Sequence, residues 1–144
     1  MLQLIAVSKS FGGPAGRRVL DGVALTVVPG EYVAIVGESG VGKSTLLNLI
    51  AGLDVPDSGQ LLLEGRDLAT LGEDARTQVR RTRMGFVFQA FHLLPHLSIA
   101  RNVALPLALN GHAGRAADER VLELLEAVGL ADRASSFPRE LSGG

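Results

Sequence analysis

The chain has 144 residues, of which 47% are hydrophobic and 20% charged, and its formal net charge is −1. This composition is typical of a globular domain with enough apolar residues for a buried core. The near-neutral charge gives no overall basic field, so charge alone suggests neither nucleic acid nor anionic lipid as a partner. The absence of cysteine excludes disulfides and thiolate metal sites.

The first third of the chain has the pattern of a β layer followed by a helix. The apolar runs LQLIAV, VALTVV and YVAIV predict three strands, separated by the turn-forming stretches GGPAG and PGE. A helix is predicted between Lys43 and Leu53, with Gly52 placed to end it. Its apolar residues recur at helical spacing: Leu46, Leu47, Leu49 and Ile50.

The middle of the chain alternates strand and helix patterns. The turn VPDSG leads into the predicted strand QLLLE, and GFVFQ predicts a further buried strand. Between them, EDARTQVRRTR has acidic residues at its start and Arg80, Arg81 and Arg83 at its end, the order that a helix dipole favours. We interpret these arginines as a solvated helix end rather than a phosphate-binding patch.

After Gln89 the pattern becomes mainly helical. Ser98 is a candidate N-cap for IARNVALPLAL, which Pro106 is expected to kink or end. A capping box would have an acidic residue three positions after the cap, but Arg101 stands there. DERVLELLEAV predicts a second helix that ends at Gly129. One face of that helix is expected to carry Val121, Leu124, Leu125 and Val128.

Residues 37–45, GESGVGKST, match the phosphate-binding pattern G-x-x-x-x-G-K-[ST] between a predicted strand and a predicted helix. Gly37, Gly40 and Gly42 allow successive backbone N–H groups to converge on a β-phosphate at the helix start. Lys43 adds a positive charge toward the β- and γ-phosphates, and the Ser44 hydroxyl can ligate Mg²⁺. A glycine turn before a helix would explain the glycines but not the lysine and serine together.

Four stretches identify a family: VSKSF, GESGVGKSTLL, the glutamine of FVFQAFHLLPHLS and the final LSGG. With them the sequence resembles the ATP-binding subunits of ABC transporters over all 144 residues. GEDARTQVRRTRMGFVFQ and NVALPLAL are most similar to the branch that serves lipoprotein release, macrolide export and cell division. The resemblance implies an α/β fold of the P-loop NTPase class, the ABC-type ATPase, with an N-terminal antiparallel β layer, an incomplete RecA-like core and a helical subdomain.

We place the boundary between these parts near residue 90. Residues 1–90 are then the β layer and P-loop core, and residues 91–144 are a helical subdomain truncated at the signature motif LSGG.

The resemblance implies that ATP and Mg²⁺ are the cofactors. Phe11 would stack on adenine, where the family often has tyrosine; without the resemblance it would be interpreted as a core residue. Lys43 and Gln89 would be the catalytic residues, and Ser44 and Gln89 the metal ligands. The nucleotide-binding residues implied are Phe11, Gly37, Glu38, Ser39, Gly40, Val41, Gly42, Lys43, Ser44 and Thr45.

The signature residues Ser142, Gly143 and Gly144 would bind the γ-phosphate that another subunit holds. In the family a helix, an acidic Mg²⁺ ligand, a glutamate general base and a switch histidine follow this motif. No stretch after residue 89 supplies an apolar strand that ends in paired carboxylates. We therefore interpret LSGG as a truncation point inside a domain, and expect at best weak nucleotide binding and essentially no ATPase activity from this chain.

The expected partners are a second ATP-binding subunit in a head-to-tail dimer and a transmembrane permease, with no nucleic acid. The permease would contact the region around Gln89–Leu109, where FHLLPHLS is unusually apolar for a connection. No apolar run approaches the roughly 18 residues of a membrane span, and MLQLIAVSKS lacks the pattern of a signal peptide. The expected location is therefore cytoplasmic, at the inner face of the membrane through the permease.

Other interpretations stay open at this stage. His92 and His96 are four residues apart, but Pro95 between them argues against a helical zinc pair. ABC-type ATPases that act as clamps on DNA or ribosomes are a second class, although they generally carry a coiled-coil insertion or a duplicated cassette. A third hypothesis is a remnant that only binds nucleotide or a partner.

Overall fold

The computed structural model describes residues 1–12, 16–88 and 92–141. The chain divides into two compact units, Met1–Gly85 and Phe86–Gly144. Each unit has its own cluster of buried apolar residues. The predicted nucleotide cradle belongs to the first unit.

The first unit is built on a four-stranded antiparallel sheet in the order β2-β1-β3-β4. The strands are β1 (Leu2–Phe11), β2 (Arg17–Val27), β3 (Ser58–Leu63) and β4 (Arg66–Asp67). This sheet is the N-terminal antiparallel layer that the sequence predicts, although β1 and β2 extend further toward their shared turn than the apolar runs indicate. β1 therefore lies inside the sheet and pairs with β2 on one side and with β3 on the other.

The middle of β1 departs from regular pairing. Its register with β3 shifts between Ile5 and Ser8, and Ala6 has a left-handed backbone with φ of 49°. Opposite this bulge lies Gly59, where an added Cβ would collide with the Ala6 carbonyl. The bulge therefore requires a glycine on the neighbouring strand.

Two helices complete the first unit: α1 (Lys43–Ile50) and α2 (Glu73–Arg83). They bury their apolar residues in the same cluster as the sheet. Leu46 and Leu49 are buried as the spacing predicts, whereas Leu47 is 54% exposed. The buried members of this cluster are Leu4, Val7, Leu20, Leu46, Leu49, Leu61, Leu68 and Val79.

The predicted strands YVAIV and GFVFQ are not strands in the described structure. Residues 31–38 and 84–88 have no ladder partner among the four described strands. Tyr32, Val36 and Val87 are 100%, 86% and 104% exposed. A β-strand needs a partner strand whose carbonyls accept from its N–H groups and whose N–H groups donate to its carbonyls. An apolar run that has no such partner therefore stays outside the sheet.

The second unit is a pair of helices, α3 (Ile99–Leu109) and α4 (Arg115–Ala127), followed by short 3₁₀ turns at Ala131–Arg133 and Pro138–Glu140. Its buried cluster consists of Ile99, Val121 and Leu125. Leu124 and Val128 are 37% and 67% exposed, so the buried face of α4 is narrower than its sequence predicts.

The ends of α3 are set by polar groups. The Ser98 side chain accepts a hydrogen bond from the Arg101 N–H at 3.3 Å, which confirms the predicted N-cap. Pro106 does not end the helix, which continues to Leu109. A proline lacks its own N–H but its carbonyl still accepts, and here the Asn110 N–H bonds to it at 3.2 Å.

Among the described residues, no helix combines the length and the apolar character needed to cross a bilayer.

Candidate nucleotide-binding site

The loop before α1 adopts conformations that favour glycine. Gly40 and Gly42 have φ of 79° and 108°, in the left-handed region. A Cβ on Gly42 would lie 2.8 Å from Val19 Cγ1 and 3.1 Å from the Val19 carbonyl. The loop therefore packs against β2 at a distance that only glycine permits, and this packing fixes where α1 begins.

The start of α1 is arranged for an anion. No side chain caps it, and its first turn contains no acidic residue. The first intrahelical bond runs from the Leu46 N–H to the Gly42 carbonyl at 2.9 Å. The N–H groups of Lys43, Ser44 and Thr45 lie in the turn before that bond, where a helix has donors without helical acceptors and the positive end of its dipole.

Lys43 adds a full positive charge to this turn. Its Nζ donates to the carbonyl of Gly37 at 2.9 Å and to the carbonyl of Glu38 at 2.6 Å. The side chain thus folds back across the loop and holds the ammonium beside the helix start. A phosphate that enters the loop exchanges these two neutral acceptors for charged oxygens, which form stronger bonds.

A cavity of about 290 Å³ joins the loop to the end of β1. It brings together Phe11, which is half exposed, and most of the predicted cradle. The lining residues are Phe11, Val19, Ser39, Gly40, Gly42, Lys43, Ser44 and Thr45. An aromatic ring and a set of helix-start amides therefore face one space, a combination suited to a base linked to a polyphosphate.

Other predicted site residues lie elsewhere. Gly37 and Glu38 are outside the lining of the cavity and act through their carbonyls on Lys43, while Val41 is 53% exposed on the loop. Gln89 and residues 142–144, predicted to bind metal and γ-phosphate, lie outside the described residues.

Sequence analysis missed Lys9, which is two residues before Phe11. Its Nζ donates to Asp54 Oδ1 at 2.8 Å and to the Val55 carbonyl at 2.7 Å, and lies 3.8 Å from Asp57 Oδ1. The same atom lies 5.5 Å from the centroid of the Phe11 ring. Two signals in the sequence could have found it: Lys9 is part of VSKSF, and the chain contains only two lysines, at positions 9 and 43.

Asp54 is the carboxylate that responds to this lysine. Its burial by itself raises the pKa of the carboxyl, but the hydrogen bonds from Lys9 and the Val55 N–H and the charges of Lys9 and Arg76 outweigh it. The pKa of Asp54 is therefore held below its ordinary value of 3.8. The Asp54 carboxyl therefore remains charged at neutral pH.

A second charged cluster fastens α2 to the end of α1. Arg80 Nη1 donates to the Gly52 carbonyl at 2.5 Å, and its Nη2 lies 3.1 Å from Glu73 Oε1. Hydrogen bonds from Arg76 and Arg80 lower the pKa of Glu73. The sequence pattern predicts that the arginines at the end of α2 form a solvated helix end. This is wrong for Arg80, whose side chain is bonded to Gly52 and Glu73, whereas Arg81 is exposed.

The two histidines considered for zinc lie in the second unit. Phe88 meets the His92 ring edge to face with centroids 4.7 Å apart, and both His92 and His96 are exposed. Within residues 1–12, 16–88 and 92–141, no three His, Cys, Asp or Glu side chains are grouped for a metal ion.

Comparison with known proteins decides the family. A family model described as ABC transporter matches residues 20–144. The chain is an ABC transporter family member. It is 48% identical over 147 residues to the macrolide export ATP-binding/permease protein MacB of Burkholderia pseudomallei strain K96243. The match covers 100% of this chain and 22% of that protein. It is 46% identical over 144 residues to the methionine import ATP-binding protein MetN of Brucella abortus strain 2308, with 38% of that protein covered.

The fold has the same affiliation. A solved dimeric structure of the ATP-binding cassette MJ0796, in a post-hydrolysis state bound to ADP and Pi, superposes with a TM-score of 0.90 at 37% identity. The match covers 99% of this chain and 64% of that one. Both the predicted family and the predicted P-loop fold class are confirmed. Macrolide exporters are among the relatives, but a methionine importer is similar to nearly the same degree.

The chain spans between about a fifth and two fifths of these curated relatives, at 22% and 38% of their lengths.

Proposed function

We propose that this chain is the nucleotide-binding part of an ABC-type ATPase that, in the complete protein, hydrolyses ATP with Mg²⁺ to power a membrane transporter. One observation carries the proposal: the Phe11 ring and the first turn of α1 line a single cavity. Helix-start amides and an ammonium recognise polyphosphate, and an exposed ring recognises a base.

The residues of this chain divide the work of binding. The N–H groups of Lys43, Ser44 and Thr45 receive the phosphates, and the Lys43 ammonium neutralises the β- and γ-phosphate oxygens. The Ser44 hydroxyl, exposed at the start of α1, has the hard oxygen donor that Mg²⁺ prefers. Phe11 holds the adenine by stacking. Mg²⁺, when bound, supplies charge neutralisation between the phosphates.

Further roles rest on the resemblance alone. Gln89 would ligate Mg²⁺ and orient the attacking water, and Ser142, Gly143 and Gly144 would bind the γ-phosphate held by a second ATP-binding subunit. A permease would contact the region around Gln89–Leu109, which places the protein at the cytoplasmic face of a membrane. The exposed Leu93, Leu94 and Leu105 support an apolar partner there.

We propose that these 144 residues bind nucleotide weakly and do not turn it over. The cradle positions phosphate, but hydrolysis also needs a general base and fixed metal ligands. The residues proposed for catalysis, Lys43 and Gln89, include no base.

Isothermal titration calorimetry of the purified chain with Mg-ATP tests the binding proposal. We expect saturable binding by the wild type and a loss of at least about tenfold in Lys43→Ala, because a charged hydrogen-bonding partner is removed. Arg18→Ala is the matched control, since Arg18 is an exposed cation of the same unit that pairs with Asp21. Equal binding by wild type and Lys43→Ala would contradict the proposal. Phosphate release faster than in Lys43→Ala would contradict the proposed lack of turnover.

A further inference from the structure

Lys9 joins strand β1 to the loop that follows α1. The side chain is only 12% exposed and its ammonium is held by the Asp54 carboxylate and the Val55 carbonyl. These partners belong to the loop that follows α1, the helix whose other end forms the phosphate cradle. Lys9 itself belongs to β1, the strand that ends in Phe11.

Backbone bonds strengthen the same junction. The Ser10 N–H donates to Asp57 Oδ2 at 2.7 Å, and the Asp57 N–H donates to the Ser8 carbonyl at 2.9 Å. Residues 8–10 are therefore fixed to residues 54–57 on both sides of Lys9. The position of the ammonium is set by this loop rather than by its own flexible side chain.

The Phe11 ring is held less firmly. It is half exposed at the end of β1, and its contact with a charged group is with the Lys9 ammonium, 5.5 Å from the ring centroid. This distance is within the range in which a cation is attracted to the face of an aromatic ring. A ring held on one face by a cation keeps its other face available for stacking.

We propose that Lys9 is a positioning residue for the base-binding half of the cavity: its anchored ammonium holds the Phe11 ring in the orientation that stacks on a nucleobase. This inference rests on the proposed function. Lys9 is not a phosphate ligand, because its ammonium is already held by the Asp54 carboxylate and the Val55 carbonyl and lies 3.8 Å from Asp57 Oδ1. Its effect is therefore confined to the base.

The test compares two ligands that share a triphosphate, one of which also carries adenosine. ATP uses both halves of the cavity, whereas inorganic tripolyphosphate uses the phosphate cradle alone. Calorimetry with each ligand in Mg²⁺ buffer is applied to the wild type, Lys9→Met, Phe11→Ala and the double variant. We expect Lys9→Met to weaken ATP binding by about two- to fivefold, the strength of an exposed to partly desolvated cation–π contact. Tripolyphosphate binding should not change.

The double variant tests whether Lys9 acts through the ring. If it does, adding Lys9→Met to Phe11→Ala produces no further loss of ATP affinity, because the group to be positioned is already absent. Lys9→Arg keeps a cation over the ring and should restore part of the affinity lost in Lys9→Met. Arg18→Met is the matched control for removing a cation from the same sheet, and should leave the ratio of the two affinities unchanged.

A second variant protects the test from a folding defect in Lys9→Met. Asp54→Asn keeps the lysine but removes its ion-pair partner, and should lower ATP affinity in the same selective way by a smaller factor. The proposal is overturned by an unchanged ratio of ATP to tripolyphosphate affinity in both variants, by additive losses in the double variant, or by Lys9→Arg binding no better than Lys9→Met. A wild type that binds neither ligand would instead overturn the proposed function, and this inference with it.

Discussion

The two units of the chain differ in the groups that make their long-range polar contacts. In Met1–Gly85, the charged side chains of Lys9 and Arg80 bond to groups 45 and 28 positions away in sequence. In the described part of Phe86–Gly144, the long-range bonds come from the backbone: the Ile99 N–H donates to the Ser136 carbonyl at 2.8 Å and the Ala100 N–H to the Ala134 carbonyl at 2.9 Å. The Asn102 side chain bonds to backbone groups at most eight positions away. The first unit therefore joins distant segments through charged side chains as well as its sheet, whereas the second joins them through backbone groups.

The largest expected effect comes from emptying either core. Leu49 and Leu125 are 1% and 2% exposed, so Leu49→Ala and Leu125→Ala should each cost about 2–5 kcal/mol of stability. If the units are stabilised separately, hydrogen exchange read by mass spectrometry will show lost protection only in the unit that carries the substitution.

Matched controls lie on the same helices. Leu47 on α1 and Leu122 on α4 are 54% and 48% exposed, and their alanine variants should change protection little. Loss of protection in both units after either core substitution would show that the units unfold together and would break the comparison.

Gly42→Ala tests the close packing of the loop in the first unit. The left-handed backbone and the contact with Val19 should together cost about 1–3 kcal/mol, measured by denaturant unfolding. Gly40→Ala separates the two causes, since Gly40 is also left-handed but has nothing within 4 Å of an added Cβ. A Gly42→Ala chain as stable as Gly40→Ala would mean that the loop does not rest against β2.

Ser98→Ala tests the N-cap of α3 in the second unit. Loss of the N-cap bond to the Arg101 N–H should cost about 1 kcal/mol and speed hydrogen exchange in the first turn of α3. Ser135→Ala, at an exposed serine of the same unit, should have no such effect. Equal exchange in the two variants would show that the Ser98 cap does not stabilise α3.

The smallest expected effect is the pH dependence of the Lys9 pair. Because the folded pKa of Asp54 is below 3.8, its contribution is present above that pH and is lost as the pH falls through the lower folded value. At neutral pH, Asp54→Asn should therefore have a lower free energy of unfolding than the wild type, by less than about 1 kcal/mol. Thermal unfolding should show this as a lower melting temperature. This difference should shrink in acid.

Asp21→Asn is the control for this titration, since Asp21 forms an exposed pair with Arg18 in the same sheet. A difference between Asp54→Asn and wild type that stays constant down to acid pH would show that the carboxylate charge does not stabilise the junction.

Much of this architecture could be predicted where the signal is local. Apolar spacing predicts α1 and α4, the order of charges predicts α2, and the cap at Ser98 predicts the start of α3. The cradle sequence predicts the start of α1 at Lys43. The strands predicted at YVAIV and GFVFQ are absent from the described residues, because pairing depends on a partner strand rather than on the apolar run itself. Lys9 was missed for the same reason, since its partner Asp54 is 45 positions away.

The unpaired segment before the cradle gives the molecule an optical property. Tyr32 is fully exposed, and it is the single tyrosine of a chain without tryptophan. Tyrosine emission from this chain therefore comes from one phenol ring, five positions ahead of Gly37. Collisional quenching by acrylamide would consequently measure, without any label, whether a nucleotide or an added strand shields the approach to the phosphate loop.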